Sequence, residues 1–464
     1  MTPVTRRDMG RSAMGGMRMR KGRFGGVLAT VVAVLATLAP ASATVTATVT
    51  GTASPAAAPA PDPFFTYTGA KPLRDHLPGA VLKTRALPYR VAGVPLPLRV
   101  VQIVFRTTDQ QGRAVAGVTS VIKPLTGTTS RVISYQSFYD SLDPEHGPSR
   151  AIAGSTAPGA MAAHVETVLM SAFLLRGYAI VMADTEGPTA DFAAGPEYGR
   201  VTLDSIRAAL RTPATGIAPA AKVGMVGYSG GAIATNWAAV LAPSYAPDVN
   251  RRLVGAAEGG VLVRPAANLR YVDGSLVWAG VMPMAVVGVA RGFGVDLMPY
   301  LSDEGRRIYA RLEKAPIIDV LGRYPGLTWA ELTKPAYADP ANIPVFVRTV
   351  NQLNLGTQPV PTVPMFIGQG TGGQIEGTRG DRPGLGKGDG VMLAGDVRSL
   401  ARKYCAGGVA VVHREYPLSH FTSVPFWLPE AIAWLSARFA GQPAPDSCAT
   451  IPAGNPLTPL APAR

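Results

Sequence analysis

The chain has 464 residues, with 44 Lys and Arg against 30 Asp and Glu, a formal charge of +14 and only two cysteines. Seven of those basic residues (Arg6, Arg7, Arg11, Arg18, Arg20, Lys21 and Arg23) and one acidic residue, Asp8, lie in the first 43 positions, so the remainder carries +8. That surplus favours solubility and loose attraction to anionic surfaces; without a basic cluster or an aromatic platform it gives no basis for nucleic-acid binding. Five histidines and two cysteines without ligand spacing exclude a zinc site as the expected chemistry, and no metal or cofactor is expected.

The basic N-terminus precedes an uncharged run from Val27 to Leu38, and Ala41, Ser42 and Ala43 supply the small residues of a signal-peptidase site. Residues 1–43 therefore read as a secretory signal. The run is too short to span a bilayer comfortably, so no transmembrane segment is expected after cleavage, and the protein is expected outside the cell or at the cell envelope. Residues 44–63, rich in Pro, Ala and Thr without apolar periodicity, read as a linker. In the oxidising compartment that export implies, Cys405 and Cys448 are expected to pair.

Folded sequence begins near Phe64. Arg99 to Arg106 and Ala114 to Lys123, rich in Val and Ile around a polar turn at Gly112, predict a hairpin. Val132 to Gln136 predicts a strand, Val165, Leu169, Ala172 and Phe173 a helical stripe, Tyr178 to Ala183 a strand, and Leu203, Ile206 and Leu210 another helix. Lys222 to Val226 is a short buried strand, and after Gly227, Tyr228, Ser229, Gly230 and Gly231 the apolar residues Ile233, Trp237, Val240 and Leu241 recur at helical spacing. This alternation specifies an α/β fold, a mostly parallel sheet wound with helices and preceded by an antiparallel hairpin. Arg252 to Ala257 is the next strand, yet the following one is Val363 to Gly368, too far away to be joined by a loop. The expectation is a core in two parts, 64–262 and 356–441, interrupted by an inserted helical cap or lid at 263–355 and followed by a tail at 442–464. Within the insertion, Gly274 to Ala290 carries no charge and reads as a buried helix broken once at Pro283, or as a mobile apolar lid that meets lipid. After Val363 to Gly368 come a glycine-rich loop from Gln369 to Gly390, a helix through Leu393, Val397, Leu400 and Tyr404, strand Val409 to Glu415, the loop Pro417 to Ser423, and a last helix through Trp427, Ile432 and Leu435.

Glycine on both sides of Ser229, between strand and helix, is the pattern of a nucleophile elbow, in which a strained turn lifts the hydroxyl above the sheet. Its plainer reading is a serine that caps the following helix. A serine hydroxyl needs a base to take its proton, and the base needs a carboxylate to fix its tautomer. Of His76, His146, His164, His413 and His420, only His420 lies after the elbow in a loop that follows a strand, where the Ser, acid, His order requires it. Asp381, Asp389 and Asp396 are candidates for the acid; Asp389, just ahead of a helix, is chosen, against its alternative as a helix cap.

These residues resemble the secretory lipase family typified by the fungal lipase A enzymes. The resemblance runs from Asp62, Pro63, Phe64 and Phe65 to about Gly441, and is carried by Ser134, Tyr135, Gln136 with Tyr139, Asp140, Ser141; by Asp184 with Glu186 and Gly187; by Gly227 to Ala232; by Ser244 to Pro247; and by Gly259 with Gly260. It implies an α/β-hydrolase fold with a helical cap, a triad of Ser229, Asp389 and His420, and oxyanion-stabilising backbone amides at Asp140 and Gly230. The chain departs from the family in a longer stretch, Thr371 to Lys387, before the acid, and in Val391 without a following proline. The implied activity is hydrolysis of lipid or other apolar acyl esters through an acyl-enzyme, with transient contact to a lipid interface. The alternatives are acyl transfer to a sugar or cell-envelope acceptor, peptide cleavage on the same fold, or a non-catalytic surface-binding role.

Overall fold

A computed structural model describes residues 62–126 and 129–463; the expected signal sequence and all but the last two residues of the expected linker lie outside them. The described chain is built on a nine-stranded sheet in the order β1-β2-β3-β5-β4-β6-β7-β8-β9, with β1 Val81–Val91, β2 Val94–Thr108, β3 Ala114–Ile122, β4 Arg131–Gln136, β5 Ala179–Ala183, β6 Lys222–Tyr228, β7 Leu253–Gly259, β8 Met365–Gly370 and β9 Val411–Tyr416. The β1–β2, β2–β3 and β3–β5 pairs are antiparallel; from β5 through β4 to β9 every neighbour is parallel. The strands of the parallel part are buried along almost their whole length, as expected for a sheet covered on both faces.

The expected alternation of strand and helix is present, with two differences in its elements. The hairpin gains an edge strand, β1, joined to a longer β2 by the two-residue turn Ala92–Gly93, where both φ angles are positive as a tight hairpin requires. β1 has only one buried residue, Tyr89, and carries Lys83, Arg85 and Pro88, a composition suited to an unpaired sheet edge. The last helix, His420–Phe439, begins seven residues before Trp427, so His420 stands at its first position rather than in a loop. Ser419 and Thr422 form a capping box that starts the helix, and Pro425 and Pro429 are accommodated within it.

Between β7 and β8 lie the helices Pro265–Val272, Val281–Phe293, Asp303–Leu312 and Pro344–Gln352, with shorter turns between them. Val281–Phe293 is not broken at Pro283. The helix begins two residues earlier, and a proline in the first turn sacrifices an N–H that has no intrahelical acceptor. This helical segment has its own apolar cluster, including Trp278, Met284, Val287, Trp329 and Phe346.

Cys405, near the end of helix Ala394–Ala406, is bonded to Cys448, with Cα atoms 5.7 Å apart across 43 residues of sequence. Closing a loop of that length is worth about 4 kcal/mol by chain entropy. The tail is held by more than sulfur: Asn455 Nδ2 donates to Asp396 at 2.8 Å, and the Leu460 amide donates to Asn351 Oδ1 at 2.8 Å. Cys448→Ser is therefore expected to lower the denaturation midpoint while leaving the protein folded, and non-reducing peptide mass spectrometry should recover the linked Cys405 and Cys448 peptides. Two free thiols in protein purified without reductant would refute the pairing.

Candidate active site

Five loops converge at the carboxyl ends of the parallel strands, where open α/β sheets place their sites. β6 is followed directly by Ser229, whose backbone is held at φ 57° and ψ −123°. The turn is that tight because the helix Gly230–Tyr245 folds straight back over the strand: a Cβ on Gly227 would lie 2.2 Å from the Gly231 carbonyl oxygen, and one on Gly231 would lie 2.1 Å from the Gln136 oxygen. Only glycine fits either place. Tyr228 and Gly230 are buried while Ser229 is only half-buried, so the strained turn presents the serine hydroxyl and keeps that of Tyr228 inside, bonded to the His420 carbonyl. Ser229 does not cap the helix with its side chain; its backbone carbonyl takes the Ala232 and Ile233 amides at 2.9 and 3.2 Å.

Gly259 and Gly260, at the end of β7, bridge serine and histidine. The Ser229 amide donates to the Gly259 oxygen at 2.9 Å, and Gly260 lies so close to His420 that a Cβ would come within 2.6 Å of its Cε1. His420 is 1% exposed. Its Nδ1 is 2.7 Å from Asp389 Oδ2, its amide donates to the Asp389 carbonyl at 2.7 Å, and its own carbonyl accepts from Tyr228 Oη at 2.7 Å. Nε2 is buried and makes no hydrogen bond among the described residues, which leaves it free to receive a proton. Burial pulls the imidazole's pKa down, but the charge and hydrogen bond of Asp389, with the charges of Glu376 and Asp140, outweigh it and hold the ring above its ordinary value.

Asp389 is fully buried five residues ahead of helix Ala394–Ala406, so it does not cap it. Its Oδ1 takes the Val391 and Met392 amides at 3.0 and 2.7 Å, which fixes the carboxylate and turns Oδ2 toward His420. The other carboxylates point elsewhere. Asp381 is exposed and pairs with Arg379 at 2.8 Å; Asp396 is buried against Arg264 at 3.2 Å. The remaining histidines also have local partners: His76 with Tyr67, His146 with Ser141, His164 with the Ser155 carbonyl, and His413 3.9 Å from Glu415.

Gly230 opens its helix, so its amide has no intrahelical acceptor. Facing it is the loop after β4, where Asp140 has φ 33° and its Oδ1 would be 1.8 Å from a Cβ on Gly230. Two buried glutamates brace this loop in ways its sequence did not signal. Glu166 accepts from the Phe138 amide at 3.0 Å and from Tyr135 Oη at 3.2 Å, while Glu186 accepts from the Ser141 amide at 3.1 Å and Tyr198 Oη at 3.1 Å. Burial pushes the Glu166 carboxyl up to about 8 and that of Asp140 up to about 7, against the lowering effect of Ser137 on the first and of the His420 charge on the second.

A cavity of about 120 Å³ adjoins these groups, lined by Asp140, Ser229 and Gly230 and otherwise almost entirely by apolar side chains such as Phe192, Trp278, Val289 and Phe346. Helix Val281–Phe293 divides its faces accordingly. Val281, Met282, Ala285, Val286 and Val289 line the cavity, whereas Met284 and Val287 of the same apolar cluster are fully buried and do not line it. Among the described residues no helix is long and apolar enough to cross a membrane, and no group of acidic, His and Cys side chains is arranged to hold a metal ion.

The secretory lipase family profile matches residues 154–382. Among curated proteins the chain is 31% identical to Lipase 4 of Candida albicans over 382 residues, 80% of each chain, and 30% identical to a probable inactive lipase of Mycobacterium tuberculosis over 378 residues, again 80% of each. Among solved structures it is similar to Candida antarctica lipase A, with a TM-score of 0.72 at 26% identity over 85% of this chain and 89% of that one. The nine-stranded sheet with its helical insertion is an α/β-hydrolase fold, and the chain belongs to the secretory lipase family.

Proposed function

We propose that the protein is an exported serine ester hydrolase that cleaves lipid or other apolar acyl esters, with Ser229 as nucleophile, His420 as base and Asp389 as the acid that orients it. Ser229 Oγ attacks the acyl carbon and its proton passes to His420 Nε2. The resulting oxyanion is met by the Asp140 and Gly230 amides, donors of a kind each worth about 3 kcal/mol in the transition state. The imidazolium then protonates the departing alcohol, leaving an acyl-enzyme, and a water deprotonated by the same nitrogen releases the acid and restores the serine. The observation that carries this reading is the pairing of His420 Nδ1 with Asp389 beside a strained elbow, with Nε2 left uncommitted. Export follows from the N-terminal sequence and accords with the family.

The apolar cavity beside Ser229 favours an acyl chain over a peptide. If it receives that chain, Val286→Trp should block it while the triad stays intact for short substrates. Denying burial to about four methylenes, at about 0.8 kcal/mol each, corresponds to roughly 200-fold in kcat/KM for a palmitoyl ester relative to acetate. Met284→Trp, directed at the cluster rather than the cavity, should lower stability without that selectivity. A p-nitrophenyl ester series from acetyl to palmitoyl, run beside a peptide amide, tests both the reaction class and the cavity. Equal loss across all chain lengths in Val286→Trp would remove the cavity from substrate binding, and turnover of the amide alone would overturn the ester reading.

A further inference from the structure

Glu376 ends the short 3-10 turn Gly373–Glu376, inside the stretch before Asp389 that departs from the family pattern. It is 8% exposed. Its Oε2 accepts from Trp278 Nε1 at 2.7 Å, and its Oε1 accepts from the amide of Phe421, the residue after the base. Trp278 in turn stacks on Phe421 with ring centroids 5.0 Å apart, stands edge-on to His420 at 5.1 Å, and lines the cavity. Gly390, the neighbour of Asp389, has φ 128°, and a Cβ there would come within 2.7 Å of Glu376 Oε2 and 2.8 Å of Trp278 Nε1. One carboxylate thus touches the helix of the base, the wall of the cavity and the loop of the acid.

Filling space would not require a carboxylate here, because burying its charge is costly unless hydrogen bonds compensate. Two N–H donors converge on it, from Trp278 and Phe421, and an amide could accept only one of them without turning its own N–H₂ toward the other. Resting on the reading of Ser229, His420 and Asp389 above, the geometry points to Glu376 as a positioning residue that locks Trp278 against His420 and offers the imidazolium a second negative charge. Base and acyl cavity are coupled through it.

The groups that face His420 are Asp389 from the loop after β8, Glu376 from the turn, Asp140 from the loop after β4 and Tyr228 at the end of β6. The base must be neutral to act, so kcat/KM rises with pH through its titration. Removing the Glu376 charge makes the imidazolium easier to deprotonate, and the rising limb should move to lower pH. A side chain that merely packs would lower the plateau and leave the limb in place.

The test compares the full mature protein with Glu376→Gln and Trp278→Phe, measuring kcat and KM on p-nitrophenyl acetate and palmitate across pH, with thermal melting and fluorophosphonate labelling as controls. In Glu376→Gln, kcat should fall by about tenfold, the scale of one hydrogen bond to a charged group, with the limb displaced to lower pH. Trp278→Phe keeps an aromatic ring but loses the donor; it should raise KM for palmitate more than for acetate. A folded Glu376→Gln with an unmoved limb and equal loss on both esters overturns the proposal. Should that variant not fold, Trp278→Phe decides: an unchanged palmitate-to-acetate ratio overturns it and a changed one supports it. Hydrolysis that survives Ser229→Ala would instead refute the reading on which the proposal rests.

Discussion

Ser229→Ala is expected to lower kcat by about 10⁶-fold, the scale seen when a triad nucleophile is removed, while the protein stays folded. In the proposed reaction the serine supplies its hydroxyl, but it makes no side-chain hydrogen bond to the helix it precedes, so its loss has little structural consequence. Wild type should be labelled by a fluorophosphonate and the variant should not; labelling that persists would move the nucleophile elsewhere. A companion variant separates chemistry from stability. Ser229 holds φ 57° and ψ −123°, a conformation that glycine adopts freely and other residues only under strain. Ser229→Gly should therefore be as inactive as the alanine variant yet more stable than wild type, by about 1 kcal/mol, read from denaturant unfolding. A glycine variant less stable than wild type would mean that the elbow is not strained in solution.

The elbow was legible because everything that defines it is local: a buried strand, a helix with apolar residues at the right spacing, and glycines where a Cβ would strike the backbone. The mostly parallel character of the sheet was legible from the alternation of strands and helices, though not the order of the strands within it. β1 was not, since an edge strand with charged residues and a proline shows neither an apolar run nor clean alternation. The start of the last helix was not legible: the first turns hold Pro425 and few apolar residues at helical spacing, although Ser419 and Thr422 were already placed to cap it. Least legible was Glu376. Its partners Trp278 and Phe421 lie 98 and 45 residues away in sequence, so only the folded chain shows why a buried carboxylate belongs there.

Asp389→Asn is expected to fold normally, to bind substrate with little change in KM, and to lose about 10⁴-fold in kcat. The fold should hold because the Val391 and Met392 amides bond to one carboxylate oxygen, Oδ1, and the amide oxygen of asparagine can keep both. The consequence falls on the other atom. Where Oδ2 accepts the proton of His420 Nδ1 at 2.7 Å, asparagine presents an N–H₂. The imidazole must then accept at Nδ1 and carry its proton on Nε2, the nitrogen that should receive the serine proton. The substitution also removes the nearest negative charge from the imidazolium, so the residual activity should reach its plateau at lower pH. Asp381→Asn, exposed and paired only with Arg379, should leave kcat within about twofold, in the range of a surface substitution. Asp396→Asn should behave differently from both. It breaks a buried pair with Arg264 and so lowers stability, but it has no contact with His420 through which to change the tautomer. Full turnover in Asp389→Asn would exclude this carboxylate as the acid. A steep loss in Asp389→Asn, with kcat retained in the other two, would assign the role by chemistry rather than by proximity.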